Sequence, residues 1–451
     1  MDLLSAPRGE LLRLIYELIE ENEALKAQIA ELRSRLKDQK LEKSALPSFV
    51  KPKVKKREKV ERKKRTEGFV RKLDAPTEKV FHSFAVCPDC GGELGKPCVA
   101  YKRQVIEIPE TYARVTEHIV YKRWCFSCKK RVSPKVNLQK GGIAIRGQRV
   151  GLNLMSRIIV LRERFRLPVR VIKLYLETFH KLHLSEGEII ALLHKMASFS
   201  KPTYQKIKEE IKGADFVCAD ETGHREDGDN GYLWNFSNEN YQFLLYRKSR
   251  GKKVVAEVLG EDGQGFEGVL VSDFYSAYNE HAGFHQRCWA HLLRDIAEVR
   301  DNVKDPLVVE WADKVKGVYE EARGYTGPDT RLALGVQAQE RIKKEREFKD
   351  KLEVICEPYA SRDSPQSILC ARVMKFLPEL FTFVRLEGIP ATNNLAERTL
   401  RHSVVQRKIF GGTRSTRGSE TKAILGSILG TWNLQGLDPL QQCRLLLANS
   451  C

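Results

Sequence analysis

The chain has 451 residues, with 78 Lys and Arg against 59 Asp and Glu and a formal net charge of +19. That length leaves room for about three domains with sizeable cores, and the charge favours a polyanionic partner such as nucleic acid over a membrane surface. No apolar run approaches the roughly 18 residues of a spanning helix, no secretory pattern opens the chain, and the eleven Cys are spaced too irregularly for a disulfide framework. A cytoplasmic, nucleoid-associated location is therefore expected.

Residues 1–44 carry a heptad. Leu11, Leu18, Leu25 and Leu32 fall at d, and Ile15, Asn22, Ile29 and Leu36 at a. Branched residues at a, Leu at d and a single Asn at a favour a parallel two-stranded coiled coil whose register the Asn fixes. A homodimer or higher homo-oligomer is the expected consequence; an amphipathic helix packed on its own domain is the alternative. Residues 45–78 form a basic linker. Within it, 51–72 holds twelve Lys and Arg, among them Lys55, Lys56, Arg57, Lys63, Lys64 and Arg65, against three Glu. Such a segment tracks phosphates without folding, and its affinity falls with salt.

Residues 79–140 hold two C-x2-C knuckles, Cys87-Pro-Asp-Cys90 and Cys125-Phe-Ser-Cys128. Four thiolates in this pattern suit one closed, tetrahedral structural Zn2+ site. The alternating segments 104–108 and 114–121 are predicted strands of a hairpin that brings the knuckles together. Three helices are predicted across 141–200: one at 152–164, one opening at Pro168 and ending near Leu182, and one capped by Ser185 with Glu188 three residues on. Their spacing is helix-turn-helix-like. Because the third helix is apolar, a helical connector packed on the next domain is the alternative.

From 201 to 435 apolar runs alternate with turns. Those at 215–219, 232–236, 242–246, 254–259 and 268–271 read as a meander of three strands, a connection, and a further strand ending at Asp273. A mostly charged helical insertion covers about 295–385. A helix is then predicted to open at Asn393 or Asn394, either a good N-cap, and a tail fills 436–451. The expected fold class is multidomain, combining α+β and α/β parts.

Three acids stand out in this region. Asp220 follows the run at 215–219, Asp273 follows that at 268–272, and Glu397 lies in the predicted helix. A carboxylate at the carboxyl end of a buried strand sits at a sheet rim, where open sheets place their ligands. Two such Asp and a longer helical Glu would suit two Mg2+ (or Mn2+) ions about 3.5–4 Å apart, the arrangement that drives in-line displacement at phosphorus. Asp220 is expected to bridge the ions, with Asp273 and Glu397 each holding mainly one. Singly, each acid reads more simply as a turn former or helix cap; their order and company carry the reading. Arg398, Arg401, Arg407, Lys408, Arg414 and Arg417 follow as a cluster that a DNA backbone would neutralise. Glu221, Asp227 and Asp229 read as turn and surface residues. Cys288 and His291, a C-x2-H pair, read as packing groups, with a metal site as the alternative.

The segments Ala219-Asp-Glu-Thr-Gly223, Val271-Ser-Asp-Phe-Tyr-Ser-Ala-Tyr278, Gln286-Arg-Cys-Trp-Ala-His291, Asn393-Asn-Leu-Ala-Glu-Arg-Thr-Leu-Arg401 and Arg407-Lys-Ile-Phe-Gly-Gly-Thr-Arg-Ser415 resemble the transposases of the insertion sequence 66 family. The resemblance runs from the heptad through the knuckles to about residue 435. It implies a ribonuclease-H-like catalytic core carrying an Asp-Asp-Glu triad, here Asp220, Asp273 and Glu397. It also implies Mg2+-dependent cutting and strand transfer, with the inverted-repeat ends of a bacterial mobile element and target DNA as partners. Accessory proteins are candidate partners too, and family members are expected to continue further past the catalytic helix than Cys451. A DNA-binding regulator with an inert core is one competing reading. A structure-specific nuclease or resolvase on the same fold is the other.

Overall fold

The computed structural model describes residue 28 and residues 75–106, 108–134, 149–260, 265–281, 283–326, 338–361 and 363–449. The heptad and most of the basic linker, including Lys55, Lys56, Arg57, Lys63, Lys64 and Arg65, lie outside the described residues. The chain divides into two compact units, Met1–Glu107 and Ile108–Cys451. In the first, the chain turns tightly at the first knuckle: Gly91 N donates to Cys87 O and Cys87 N to Gly92 O, both at 2.9 Å. In the second, β1 (Arg123–Cys125) pairs antiparallel with β2 (Lys130–Val132), closing a hairpin over the second knuckle. The strands predicted at 104–108 and 114–121 do not form among the described residues. Val105, Ile106, Val115 and Ile119 stay exposed, so their alternation has no second layer to bury against.

Helices α1 (Leu152–Glu163), α2 (Val169–His180) and α3 (Glu186–Lys212) follow. Ser185 caps α3, its Oγ accepting from Glu188 N at 3.1 Å. This helix runs well past residue 200, and its Ile207 and Ile211 share one hydrophobic cluster with Ile158, Ile172 and Val217. The three helices thus pack into a common core with the sheet, which accounts for the apolar character of α3.

The five-stranded sheet comprises β3 (Phe216–Glu226), β4 (Asp229–Ser237), β5 (Gln242–Arg247), β6 (Val269–Ser272) and β7 (His285–Arg287), in the order β5-β4-β3-β6-β7. Strand β4 pairs antiparallel with both β3 and β5, β6 runs parallel to β3, and β7 parallel to β6. Asp227 and Gly228 form the two-residue β3–β4 turn at φ 52° and 89°, the positive pair that makes Asp-Gly the favoured hairpin loop. Helix α4 (Lys253–Leu259) lies in the β5–β6 connection. Strand β7 has no sequence signal, since His-Gln-Arg is polar; yet all three residues are buried. Their partners come from far along the chain: His285 O accepts from Thr382 Oγ1 at 2.6 Å, Gln286 Oε1 from Phe383 N at 2.9 Å, and Arg287 Nε donates to Glu379 Oε2 at 2.5 Å.

Helices α5 (Trp289–Val303), α6 (Pro306–Tyr325), α7 (Ala338–Ala360), α8 (Ser367–Leu380) and α9 (Thr382–Arg385) build a second cluster around Trp289, Trp311, Leu352 and Phe381. The excursion is pinned at its base, where Trp289 N donates to Ala391 O at 3.1 Å. Helix α10 (Asn394–Phe410) then packs Ala396 against Cys218, Val269 and Val271. Helix α11 (Thr416–Leu434) covers the outer strand β5, with Ser427 Oγ accepting from Leu244 N at 2.7 Å and Thr431 Oγ1 from Gln242 N at 3.1 Å. Edge N–H groups that would recruit another strand are thereby satisfied. The segment read as a tail instead contains α12 (Pro439–Asn449), whose Cys443 and Leu447 join the main core. Among the described residues no helix is long and apolar enough to cross a membrane.

One glycine governs how α10 leaves the sheet. Thr413 N donates to Arg225 O at 2.9 Å, and a Cβ on Gly412 would stand 1.8 Å from that same carbonyl oxygen. Gly412→Ala should therefore cost about 1–3 kcal/mol through overpacking, read as a lower urea midpoint. An unchanged midpoint would show that the loop moves aside freely.

Candidate active site

Asp220 does not end its strand. Pairing with β4 carries β3 on to Glu226, whereas the parallel pairing with β6 stops at Cys218 and Val271. Asp220 therefore stands just beyond the end of the parallel ladder, and Asp273 directly follows β6. Glu397 occupies the first turn of α10. The three acids are electrostatic neighbours: the Asp220 pKa is pushed up to about 7, first by burial, then by the Glu221 carboxylate, with Asp273 and Glu397 adding to the rise. Like charges gathered in a desolvated place disfavour ionisation. Backbone donors orient both Asp side chains, Glu221 N reaching Asp220 Oδ1 and Tyr275 N reaching Asp273 Oδ1, each at 2.9 Å.

Helix capping does not explain Glu397. Asn393 holds the N-cap position but makes no side-chain cap bond. Instead its Nδ2 donates to Ala219 O at 2.6 Å, and its backbone N donates to Cys288 Sγ at 3.1 Å. The start of α10 is thus fastened to the residue preceding Asp220. Cys288 and His291 are neighbours with different exposures. Cys288 is fully buried, while His291 Nε2 lies 3.4 Å from Glu397 Oε1 and its Nδ1 is buried without a hydrogen-bond partner. The nearby Cys288 sulfur, ahead of Glu397 and Asp273, raises the imidazole above its ordinary pKa against the effect of burial.

Other expectations sort by exposure. Arg398, Arg401, Lys408, Arg414 and Arg417 are exposed. Arg407 is half-buried and already engaged: its Nη1 donates to Thr222 Oγ1 at 3.1 Å and to the Gly223 carbonyl, so it braces β3 and is not free for a phosphate. Asp227 and Asp229 stay at the β3–β4 turn. Glu221 does not belong on the surface with them. Its side chain is 3% exposed and accepts from Arg250 Nη2 at 2.7 Å and from Tyr278 Oη at 2.5 Å. Strand alternation sends it to the face opposite Asp220, where Trp234, Leu270 and Tyr278 are buried.

At the knuckles, backbone N–H groups of Asp89 and Cys90 lower the Cys87 pKa, and that of Cys128 leads in lowering the Cys125 pKa. Cys128 N lies 3.4 Å from Cys125 Sγ. Sulfurs held toward the thiolate are the chemistry zinc selects, while the oxygens of the carboxylate trio match Mg2+. Among the described residues no three His, Cys, Asp or Glu side chains stand close enough together to hold a metal ion. The donor types of both groups nevertheless fit those ions.

Comparison with known proteins adds an independent line. A family model described as "Transposase IS66 family" matches residues 147–421, and one described as "zinc-finger binding domain of transposase IS66" matches residues 85–129. The chain is also similar to three proteins of Sinorhizobium fredii. It is 23% identical to the uncharacterized protein y4jD over 78% of this chain and 72% of that one. It is 22% identical to the uncharacterized protein y4hP over 53% and 48%, and 26% identical to the uncharacterized protein y4qI over 52% and 47%. The chain thus spans about half the length of the latter two.

Proposed function

Because the chain belongs to the IS66 transposase family, matched over more than half its length, we propose that it is a DNA transposase using Asp220, Asp273 and Glu397 as its catalytic carboxylates. The observation carrying this reading is the neighbourhood of the three acids: Asp273, just after β6, and Glu397, on a helix distant in sequence, both act on Asp220 in β3. The strand order β5-β4-β3-β6-β7, with three antiparallel strands followed by two parallel ones, supports a ribonuclease-H-like core.

Two Mg2+ (or Mn2+) ions held by the trio would activate the attacking oxygen and stabilise the leaving one during in-line displacement at phosphorus. The chain's own part is to hold the carboxylates for them. Asp220 is held within β3 just past its parallel pairing with β6, Asp273 directly follows β6, and Glu397 reaches across from a helix that Asn393 fastens to Ala219. His291 faces Glu397 and is positioned to orient it. The exposed Arg398, Arg401, Lys408 and Arg414 would take the DNA backbone. The basic linker would add sequence-independent affinity, and the heptad a homo-oligomeric contact that lets two element ends be handled together. Acting on DNA, the protein would work in the bacterial cytoplasm at the nucleoid.

Purified protein incubated with Mg2+, a labelled inverted-repeat end and plasmid should yield joined end–plasmid products. Cut ends without joining would indicate a nuclease or resolvase. Binding without cutting would indicate a regulator with an inert core.

We further propose Cys87, Cys90, Cys125 and Cys128 as ligands of one structural Zn2+, supported by the zinc-finger match over 85–129. Stripping the metal with a chelator, or Cys87→Ser, should release about one zinc per chain and weaken DNA binding, since structural zinc supplies folding free energy directly. Full zinc content in Cys87→Ser would reject that ligand assignment.

A further inference from the structure

Behind the two aspartates lies a group of side chains that the chemistry above does not use. Glu221, next to Asp220 but on the opposite face of β3, is gripped by Arg250, whose Nε and Nη2 both donate to its Oε1 at 2.9 and 2.7 Å. Tyr278 Oη donates to the other oxygen at 2.5 Å. The Arg250 guanidinium in turn lies over the Tyr275 ring at 4.0 Å, and Tyr275 Oη donates to Arg250 O at 2.9 Å. Tyr275 is also the residue whose backbone N holds Asp273 Oδ1. The contacts therefore close a circuit: Asp220 to Glu221 through the chain, Glu221 to Arg250, Arg250 to Tyr275, and Tyr275 to Asp273. Its two ends are the carboxylates of Asp220 and Asp273. They come from strands whose direct pairing has already stopped at Cys218 and Val271, so the sheet ladder alone does not fix their separation.

We propose that Arg250 is a positioning residue that, through Glu221 and Tyr275, sets the spacing of Asp220 and Asp273 for divalent metal. This rests on the reading of those aspartates as metal ligands. Groups that orient a metal's ligands typically contribute about 10–100-fold to affinity. A planar guanidinium suits the task because it grips a carboxylate with two nitrogens while stacking on an aromatic face, neither of which an ammonium reproduces. Being half-exposed on its loop, Arg250 would also look like a phosphate contact, and the test has to separate the two roles.

Mn2+ binding to the full-length, zinc-loaded chain is measured by calorimetry and by metal-induced thermal shift, and DNA binding is measured without divalent metal. Arg250→Met, which keeps bulk against Tyr275, should weaken Mn2+ binding roughly 10–100-fold and leave metal-free DNA affinity unchanged. Arg250→Lys should be as weak for Mn2+ as Arg250→Met. The proposal is overturned if Mn2+ affinity stays within about twofold of the parent, or if the loss lies in metal-free DNA binding and Lys restores it, as for a simple phosphate contact. Should Arg250→Met melt too low to titrate, Tyr275→Phe removes only the hydroxyl bond to Arg250 O, and unchanged Mn2+ affinity there also overturns it. Asp220→Asn run in parallel separates the two levels. If it too leaves Mn2+ uptake unchanged, the metal-site reading itself has failed; if it alone abolishes uptake, only the role of Arg250 is wrong.

Discussion

Asp220→Asn, Asp273→Asn and Glu397→Gln should each reduce metal-dependent DNA cleavage by about 10^3-fold or more while leaving DNA binding intact. Stabilising charge at a reacting phosphate through bound metal is worth several kcal/mol, and about 1.4 kcal/mol corresponds to a tenfold change in rate. The substitutions are nearly isosteric, so β3, β6 and α10 should keep their packing. Asp220 is half-buried, and burial first, then the charges of Glu221, Asp273 and Glu397, disfavour its carboxylate, so losing that charge relieves a desolvation cost as well as repulsion. Asp220→Asn should accordingly melt no lower than the parent even as cleavage vanishes. That pairing of intact stability with lost activity marks a site held against its own electrostatics. Cleavage by Glu397→Gln at parental rates, with the protein folded, would remove the helical residue from the assignment.

A second large effect is expected far from the chemistry. Glu163 on α1 and Lys422 on α11 form a pair 3.5 Å apart with side chains only 5% and 6% exposed. Burial by itself would raise the Glu163 pKa, but Lys422, Arg162, Gln406 and His402 outweigh it and hold the carboxylate below its ordinary range. Gln406 Nε2 donates to Glu163 Oε2 at 3.1 Å, and His402 bonds the Glu163 carbonyl. The cluster thereby joins the first helix of the core to α10 and α11. Lys422→Met strands a buried carboxylate and should cost about 3–5 kcal/mol in urea unfolding, whereas Glu163→Met with Lys422→Met should recover most of it. Because the folded pKa of Glu163 is depressed, its contribution is present above the unfolded carboxylate pKa and is lost as pH falls through the folded value. The gap between parent and Lys422→Met should therefore narrow as the pH is lowered below the ordinary carboxylate range. A cost under about 1 kcal/mol at neutral pH would mean that water already reaches the pair.

How much of this was legible in the sequence varies with how local each cause is. Ser185 and Glu188 announce the start of α3 because a cap is satisfied within four residues. The Asp-Gly pair announces the β3–β4 turn for the same reason. Asp220 stands out in the sequence as a candidate, but its expected placement at a strand end is not what the structure has, since the length of β3 is decided by β4. Strand β7 was invisible: three polar residues are buried there only because Thr382, Phe383 and Glu379 arrive from the far side of the insertion. Long-range partners of the same kind explain Arg407, which reads as one more phosphate-binding cation yet is spent on the β3 backbone. They also explain Glu221, which a turn-rich neighbourhood disguised as a surface acid. Glu397 is the instructive case. Its sequence context fits a helix cap, yet Asn393 is redirected to Ala219 and Glu397 instead lies beside His291 and acts on Asp220.

The central claim is that Asp220, Asp273 and Glu397 form one divalent metal site. Titrating Mn2+ into the zinc-loaded protein by calorimetry tests it without depending on DNA or turnover. About two ions per chain should bind the parent, and binding should be lost in Asp220→Asn. Equal uptake by the parent and Asp220→Asn, or no saturable uptake by a folded parent, would contradict it.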